Sequence, residues 1–245
     1  MILGVLLCDD VRLELQRKHG NYPAMFSELF GQVDPNMQLN FYRVIDGQYP
    51  NALDECDAYI STGSQYGVND EAKWISVFEA FIHQLYHQLI PYVGICFGHQ
   101  MIARALDGEV CRSSQGWGIG VKRVSFYPEE VIQHSWLTAP DANYALIVSH
   151  QEQITELPPD TLVLAGSKFC PYAMILVGNH FLGIQGHPEF TPAYSQDLIQ
   201  LRRNNFSEPT YDSALDSLDE QTDHLPVAQW IVNFIKQRHL DFSHH

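Results

Sequence analysis

Val93-Gly94-Ile95-Cys96-Phe97-Gly98-His99-Gln100 is the stretch around which the rest of the sequence can be ordered. The apolar run over residues 89–95 predicts a buried strand, and the pattern over residues 100–106 predicts a helix soon after it. A strand that turns abruptly into a helix exposes the residue at the corner, and flanking glycines let the two elements approach closely. Cys96 lies at that corner, where the first amides of the helix favour the thiolate, the reactive form of cysteine. The segment predicts a nucleophile, although a buried structural cysteine beside a glycine loop explains the bare pattern equally well.

The composition predicts a globular protein with a large core. The 245 residues are 45% hydrophobic and 12% aromatic, which suffices for substantial burial. The formal net charge of −15 argues against nucleic acid or an anionic membrane as the main partner, because the overall field repels both. The apolar residues 1–7 are too short for a signal sequence, and no stretch approaches the roughly 20 apolar residues of a membrane span. We therefore expect no nucleic-acid and no membrane partner.

The cysteines and histidines predict neither a disulfide framework nor a metal site. The five cysteines are scattered without any C-x-x-C spacing, which favours a reducing, cytoplasmic compartment. His83 and His87 lie four apart on a predicted helix, but exposed helix positions explain them better than a metal face, since no third ligand is evident. We expect no metal and no cofactor.

Alternating segments predict an α/β fold with a mostly parallel central sheet flanked by helices, extended by mixed or antiparallel strands. In the first part, predicted strands are 2–8, 37–45, 57–61 and 92–95, and predicted helices are 22–30, ended by Gly31, 74–89 and 100–106. In the second part, predicted strands are 118–126, 144–149, 162–167, 173–177 and 181–185, and predicted helices are 192–204, 211–218 and 225–238. We expect one domain, 1–245. Ligands of such sheets bind beyond the carboxyl ends of the strands, and Gly63 and Cys96 both follow such ends.

The segment His187-Pro188-Glu189 can supply what a cysteine nucleophile requires. Such a nucleophile needs a base to take its proton and a third group to orient that base. Residues i and i+2 of an extended segment point to the same side, so Glu189 can hold one imidazole nitrogen of His187 while the other faces the thiol. An isolated His-Pro-Glu is more often a surface turn, but its place after a buried strand favours a triad of Cys96, His187 and Glu189.

Such a triad also needs an oxyanion hole, formed by two N–H groups aimed at the oxygen of the tetrahedral intermediate. The amide of Phe97, next to the nucleophile, is one expected donor. The loop after the strand 57–61 is placed to provide the second, from Gly63 or Ser64.

Together these motifs resemble the class I glutamine amidotransferases. The combination of Gly94-Ile95-Cys96-Phe97-Gly98-His99-Gln100 with Gly186-His187-Pro188-Glu189 is most similar to the glutaminase domain of GMP synthase. The stretch 149–158, SHQEQITELP, is similar to the Ser-His-x-Asp-x-Val…Leu-Pro segment of that subgroup. The resemblance implies a flavodoxin-like glutaminase fold, attack of Cys96 on a γ-glutamyl amide, and hydrolysis of a γ-glutamyl thioester by water that His187 activates.

The resemblance also implies which residues surround the α-amino and α-carboxylate groups of a small-molecule γ-glutamyl substrate. These are Gly98, Gln100, Gly116, Trp117, Ser149, His150 and Glu152. Glu152 stands where the family usually has Asp. The loop Thr62-Gly63-Ser64 departs from the Gly-Gly-Pro common in the synthase and looks closer to stand-alone members, including γ-glutamyl peptidases.

Three functions stay open at this point. A γ-glutamyl hydrolase that works alone is favoured, because the sequence has no Ser-Gly-Gly-x-Asp-Ser phosphate loop of an ATP-pyrophosphatase domain. A glutaminase subunit that delivers ammonia to a separate synthetase is the second. A regulatory protein that binds γ-glutamyl compounds without turnover is the third. The expected protein partner is a synthetase, in the second function, or a further copy of the chain in a homo-oligomer.

Overall fold

The computed structural model describes residues 1–138 and 142–242, and its centre is a nine-stranded sheet. The strands are β1 (Ile2–Leu6), β2 (Gln38–Tyr42), β3 (Ala58–Ser61), β4 (Tyr92–Ile95), β5 (Glu109–Arg112), β6 (Gly118–Phe126), β7 (Asn143–His150), β8 (Glu152–Glu156), β9 (Thr161–Gly166), β10 (Met174–Val177) and β11 (Phe181–Ile184). The helices are α1 (Leu13–His19), α2 (Tyr22–Val33), α3 (Lys73–His87), α4 (Phe97–Ala105), α5 (Pro128–Val131), α6 (Pro192–Leu201), α7 (Glu208–Ser217) and α8 (His224–Phe242).

The sheet has a parallel half and an antiparallel half. Its strand order is β2-β1-β3-β4-β11-β10-β9-β6-β7, and the first five strands in that order are paired in parallel. The remaining strands pair antiparallel, and β5 and β8 form a separate two-stranded sheet. The predicted fold class, a parallel sheet with an antiparallel extension, is therefore confirmed.

Apolar residues cover both faces of the parallel half. Val5 belongs to a cluster that includes Phe26 of α2 and Ile231 of α8, whereas its neighbour Leu6 belongs to a second cluster with Phe78 of α3 and Met101 of α4. Successive side chains of a strand point to opposite faces, so continuous apolar strands such as β1 require helices on both sides. This explains why the inner strands β1, β3 and β4 are buried along their length and do not alternate between apolar and polar residues.

The bounds of several elements differ from the sequence prediction. Helix α2 was predicted to end at Gly31 but continues to Val33, because Gly31 is exposed and the buried Phe30 keeps the helix packed on the core. Helix α4 begins at Phe97, three residues before the predicted start, so that Cys96 is its N-cap. The sequence did not predict α1, α5, β5 or β8, which are short.

The two glycines beside Cys96 are required by the packing of β4 against α4. A Cβ on Gly94 would overlap the carbonyl carbon and oxygen of Gly98. A Cβ on Gly98 would overlap Oγ of Ser61, whose hydroxyl hydrogen-bonds the hydroxyl of Tyr92 at 2.5 Å. The absence of both side chains lets the helix begin directly over the ends of β3 and β4.

We expect Gly98→Ala to lower the free energy of unfolding by about 1–3 kcal/mol, because the added methyl group overpacks a rigid contact with Ser61. Urea unfolding followed by circular dichroism measures this change. Gly31→Ala is the matched control, since a Cβ there meets no atom within 4 Å and alanine favours the helix. Equal stabilities of the two variants would contradict the close-packing explanation.

Candidate active site

Cys96 lies at the turn between β4 and α4 in a strained backbone conformation. Its φ is 50° and its ψ is −95°, a region that residues with a side chain rarely occupy. The residue is 5% exposed, and its carbonyl oxygen accepts the Gln100 amide at 3.1 Å, which closes the first turn of the helix. The strained corner turns the side chain toward the carboxyl ends of the parallel strands.

His187 is held against this corner by several contacts. Its amide donates to the carbonyl oxygen of Ile147 at 2.8 Å, which ties the segment after β11 to β7. Its Nδ1 lies 2.8 Å from Oε1 of Glu189, and the ring of Phe190 stacks on the imidazole at a centroid distance of 3.9 Å and an angle of 4°. The side chain of Cys96 lies beside the imidazole, since both residues line the same small space and both border the position where a Cβ on Gly63 would lie. The structure thus brings together the three residues that the sequence predicted to act as a unit.

The pKa of His187 is raised to about 10 by its surroundings. Burial alone lowers this pKa, but the negative charges of Glu189 and Cys96, together with the hydrogen bond to Glu189, outweigh burial. The imidazole is therefore in its cationic form at neutral pH. A buried cation of this kind is stable only beside anionic partners.

The loop after β3 lies against both Cys96 and His187. A Cβ on Gly63 would be 2.8 Å from Cε1 of His187 and 3.6 Å from Cβ of Cys96, so only glycine fits there. Within the described residues, the amides of Gly63 and Ser64 have no acceptor. The amide of Phe97 is the first of α4 and has no partner inside the helix. These amides are the candidates from which the two oxyanion-hole donors were predicted: Phe97 directly follows Cys96, and the loop with Gly63 and Ser64 lies against it.

Asp9 fixes the conformation of this loop, and the sequence analysis missed it. The carboxylate is buried and accepts the amide of Gln65 at 2.7 Å and the hydroxyl of Ser64 at 3.5 Å. Its neighbour Asp10 pairs with both terminal nitrogens of Arg43 at 2.8 and 2.9 Å. An acidic residue directly after the first parallel strand was the signal that could have identified Asp9.

A cavity of about 300 Å³ opens over Cys96. Several predicted residues line it: Ser64, Phe97, Gln100, Trp117, Ser149, His150 and Glu152. Among the residues that the structure describes, Gly98 and Gly116 do not line this cavity, and their roles in substrate binding stay predictions. Gly98 faces Ser61, and Gly116 closes a turn that begins at Ser113, with a φ of 84° and no atom within 4 Å of the position that a Cβ would take.

The far wall of the cavity carries Gln100 and Glu152. Gln100 donates its side-chain amide to the carbonyl oxygen of Glu152 at 2.8 Å and to Oε1 of Gln185 at 3.1 Å, which leaves its own Oε1 as an acceptor. Burial, followed by the charge of Asp70, raises the pKa of Glu152 against the opposing effect of Arg112. Oε2 of Glu152 has no partner in the described part of the chain.

The side chains of His150 and Ser149 also line the cavity. Nδ1 of His150 is 3.0 Å from the carbonyl oxygen of Glu152 and must donate, because a carbonyl only accepts. Burial lowers the pKa of His150 to about 4, so this ring is neutral at neutral pH. The hydroxyl of Ser149 accepts from Nη1 of Arg202 at 3.3 Å.

Other candidates do not form sites in the described residues. The rings of His83 and His87 stack on one another along α3, and no group of three possible metal ligands occurs in residues 1–138 and 142–242. None of the helices within those ranges has the length and apolarity needed to cross a membrane. All five cysteines are free, and Cys111 is exposed.

Comparisons with known proteins identify relatives of this chain. The sequence model of the family "Glutamine amidotransferase class-I" matches residues 66–202, which include Cys96, His187 and Glu189. "Gamma-glutamyl peptidase 3" of Arabidopsis thaliana is 29% identical over 229 residues, covering 91% of each chain. A glutamine-hydrolysing GMP synthase subunit of Saccharolobus solfataricus is 31% identical over 138 residues, covering 56% of this chain and 69% of that one.

The fold is also similar to that of a solved structure. A glutamine amidotransferase from Thermotoga maritima superposes with a TM-score of 0.73 and 18% sequence identity, covering 98% of both chains. The family model spans more than half of the chain and contains the strand, turn and helix around Cys96. This protein belongs to the class I glutamine amidotransferase family.

Proposed function

We propose that this protein is a γ-glutamyl hydrolase in which Cys96, His187 and Glu189 form the catalytic triad. The observation that carries the proposal is the buried, hydrogen-bonded His187–Glu189 pair beside a cysteine at a strained corner that borders the cavity. Similarity to a γ-glutamyl peptidase over 91% of the chain supports the choice of substrate class. We further propose that residues 1–245 form one domain and that the protein works in the reducing cytoplasm, where its five free cysteines are stable.

In the first half of the reaction, the sulfur of Cys96 attacks the γ-carbonyl carbon of the substrate. A C–S bond forms, and the carbonyl electrons move onto oxygen. The C–N bond then breaks while the imidazolium of His187 gives its proton to the departing nitrogen. The raised pKa of His187 favours this step, because the ring already carries the proton at neutral pH. The products are a γ-glutamyl thioester on Cys96 and free ammonia or an amine.

In the second half, water replaces the amine. Neutral His187 takes a proton from water as its oxygen attacks the thioester carbon, and the C–S bond breaks to release glutamate. Glu189 keeps Nδ1 protonated throughout and holds the ring against rotation, with Phe190 stacked on the imidazole. Each half of the reaction passes through a tetrahedral intermediate, and both of these intermediates carry their negative charge on the oxygen of the γ-carbonyl group.

That oxygen would be bound by the amide of Phe97 and by an amide of the Gly63–Ser64 loop. Each preorganised donor typically contributes about 3–4 kcal/mol to the stabilisation of the transition state. Asp9 keeps the loop in place by accepting the Gln65 amide. The donors therefore need no rearrangement when the charge develops.

The far wall would bind the γ-glutamyl part of the substrate. Glu152 and the free Oε1 of Gln100 are acceptors that suit its α-ammonium group. The unpartnered carboxylate oxygen of Glu152 gains a charge-assisted hydrogen bond in the complex. Glu152 can take this role although it is one methylene longer than the Asp of relatives in the synthase subgroup.

A second candidate is a glutaminase subunit that delivers ammonia to a synthetase. Similarity to the GMP synthase subunit of Saccharolobus solfataricus favours it, because that relative is named as one part of a larger enzyme. Affinity purification followed by an increase in glutaminase activity on mixing with the captured synthetase would support this candidate.

We expect Cys96→Ser to reduce the hydrolysis of γ-glutamyl peptides by roughly 10³-fold or more, because a serine hydroxyl is a poor nucleophile beside a base arranged for a thiol. Released glutamate measures the rate. Cys111→Ser is the matched control, since this thiol is exposed and outside the site, and it should keep wild-type turnover. Full activity of Cys96→Ser would overturn the proposed chemistry.

Glu189→Gln should lower the pKa of His187 well below about 10, because it removes a negative charge 2.8 Å from the imidazole. The imidazole proton resonances, followed by NMR across a pH titration, report this pKa. The exposed Glu220→Gln variant controls for the loss of one negative charge elsewhere. An equal pKa of His187 in the wild-type protein and in both variants would contradict the proposed effect of Glu189 on the protonation of the ring.

A further inference from the structure

Arg12 and Arg202 border the site on the side of His187. Both line the cavity over Cys96, and both also line a smaller adjoining space of about 30 Å³ that contains His187 and Tyr194. Gln100 and Glu152 line only the larger cavity. The two arginines therefore lie where the cavity over Cys96 meets the space beside His187, whereas Gln100 and Glu152 border the cavity alone.

No carboxylate of the described residues forms an ion pair with either arginine. Within residues 1–138 and 142–242, the side chain of Arg12 has no hydrogen-bond or ion-pair partner, and that of Arg202 donates only to the hydroxyl of Ser149 at 3.3 Å. The acidic residues of the smaller space are already engaged: Asp9 with the amide of Gln65, and Asp10 with Arg43. In a chain with only 14 Lys and Arg against 29 Asp and Glu, two unpaired cations beside the nucleophile are unexpected.

The surroundings of Arg202 destabilise its positive charge when no anion is bound nearby. Burial and the like charge of Arg12 lower the pKa of Arg202. A carboxylate bound between the two groups would accept charge-assisted hydrogen bonds from both and would offset their repulsion. The arrangement thus offers an anion two guanidinium groups with which no carboxylate of the described residues is paired.

The chemistry of the reaction says which part of a substrate would occupy that site. His187 gives its proton to the departing nitrogen, so the leaving group must lie on the His187 side of the γ-carbonyl carbon. Ammonia carries no further group that could reach Arg12 or Arg202. An amino acid or peptide linked through its amine carries a carboxylate, which could.

We propose that Arg12 and Arg202 bind the carboxylate of the leaving group, so that the preferred substrates are γ-glutamyl amino acids and peptides with a free C-terminal carboxylate. This inference rests on the proposed γ-glutamyl hydrolase function and adds the group that is recognised beyond the scissile bond. It makes the two arginines specificity determinants that discriminate against glutamine.

The test compares γ-glutamylalanine with its C-terminal amide and with glutamine, using kcat/KM for glutamate release. The wild-type protein should prefer the free acid over the amide by about tenfold or more, as expected for charge-assisted hydrogen bonds to a carboxylate. In Arg12→Gln the ratio of the two kcat/KM values should fall toward one. Arg12→Lys should keep part of the preference, because the positive charge remains. Arg17→Gln is the matched control, since it removes one positive charge from an exposed position on the adjacent α1 and should leave the ratio unchanged.

Two outcomes would overturn the inference. One is an equal preference for acid and amide in the wild-type protein. The other is a uniform loss on all three substrates in Arg12→Gln, which would assign the arginine to the γ-glutamyl group itself. Failure of the proposed function is distinguishable, because then no γ-glutamyl substrate is hydrolysed by the wild-type protein. Circular dichroism of Arg12→Gln separates loss of binding from loss of folding, and the exposed side chain predicts a native spectrum.

Discussion

The close approach of helix α4 to strand β4 is the constraint on which the rest of the site depends. Gly94 and Gly98 leave no room for side chains, and the chain turns between them in a single residue, Cys96, whose φ is 50°. A wider turn would move the thiol away from the imidazole of His187 and the Phe97 amide away from the thiol. The strain of this corner, of order 1–3 kcal/mol, is offset by the buried strands on either side of it. Fold stability and the position of the nucleophile are therefore set by the same contact.

Parallel pairing brings the remaining groups to this corner. Strands β1, β3, β4 and β11 are neighbours, so the segments that follow them carry Asp9, Gly63, Cys96 and His187 to one edge of the sheet. The antiparallel half contributes Ser149 through β7, and the two-stranded sheet contributes Glu152 through β8. The cavity thus lies where these parts meet, and its lining includes the carboxylate of Glu152, the amide of Gln100 and the guanidinium groups of Arg12 and Arg202. These groups suit a substrate that carries both an ammonium group and a carboxylate.

Local sequence patterns predicted the fold and the elements around Cys96, because apolar runs and glycine spacing act within a few residues. The same reasoning predicted that Glu189 faces His187, since residues two apart in an extended segment share a side. It could not predict Arg12 and Arg202, which are far apart in the chain and come together only through tertiary packing. Nor could it predict the close contact of Gly98 with Ser61, which depends on the pairing of β3 with β4. The parts of the site that could not be predicted are those that depend on contacts between residues far apart in the chain.

The central claim is that Cys96 becomes covalently attached to the γ-glutamyl group. Acid-quenching the protein during turnover of a γ-glutamyl peptide, followed by intact-mass and peptide-level mass spectrometry, tests it directly. We predict a mass increase equal to one γ-glutamyl group, located on the peptide that contains Cys96 and lost after the substrate is exhausted. Turnover without this adduct, or with the adduct on another cysteine such as the exposed Cys111, would contradict the claim.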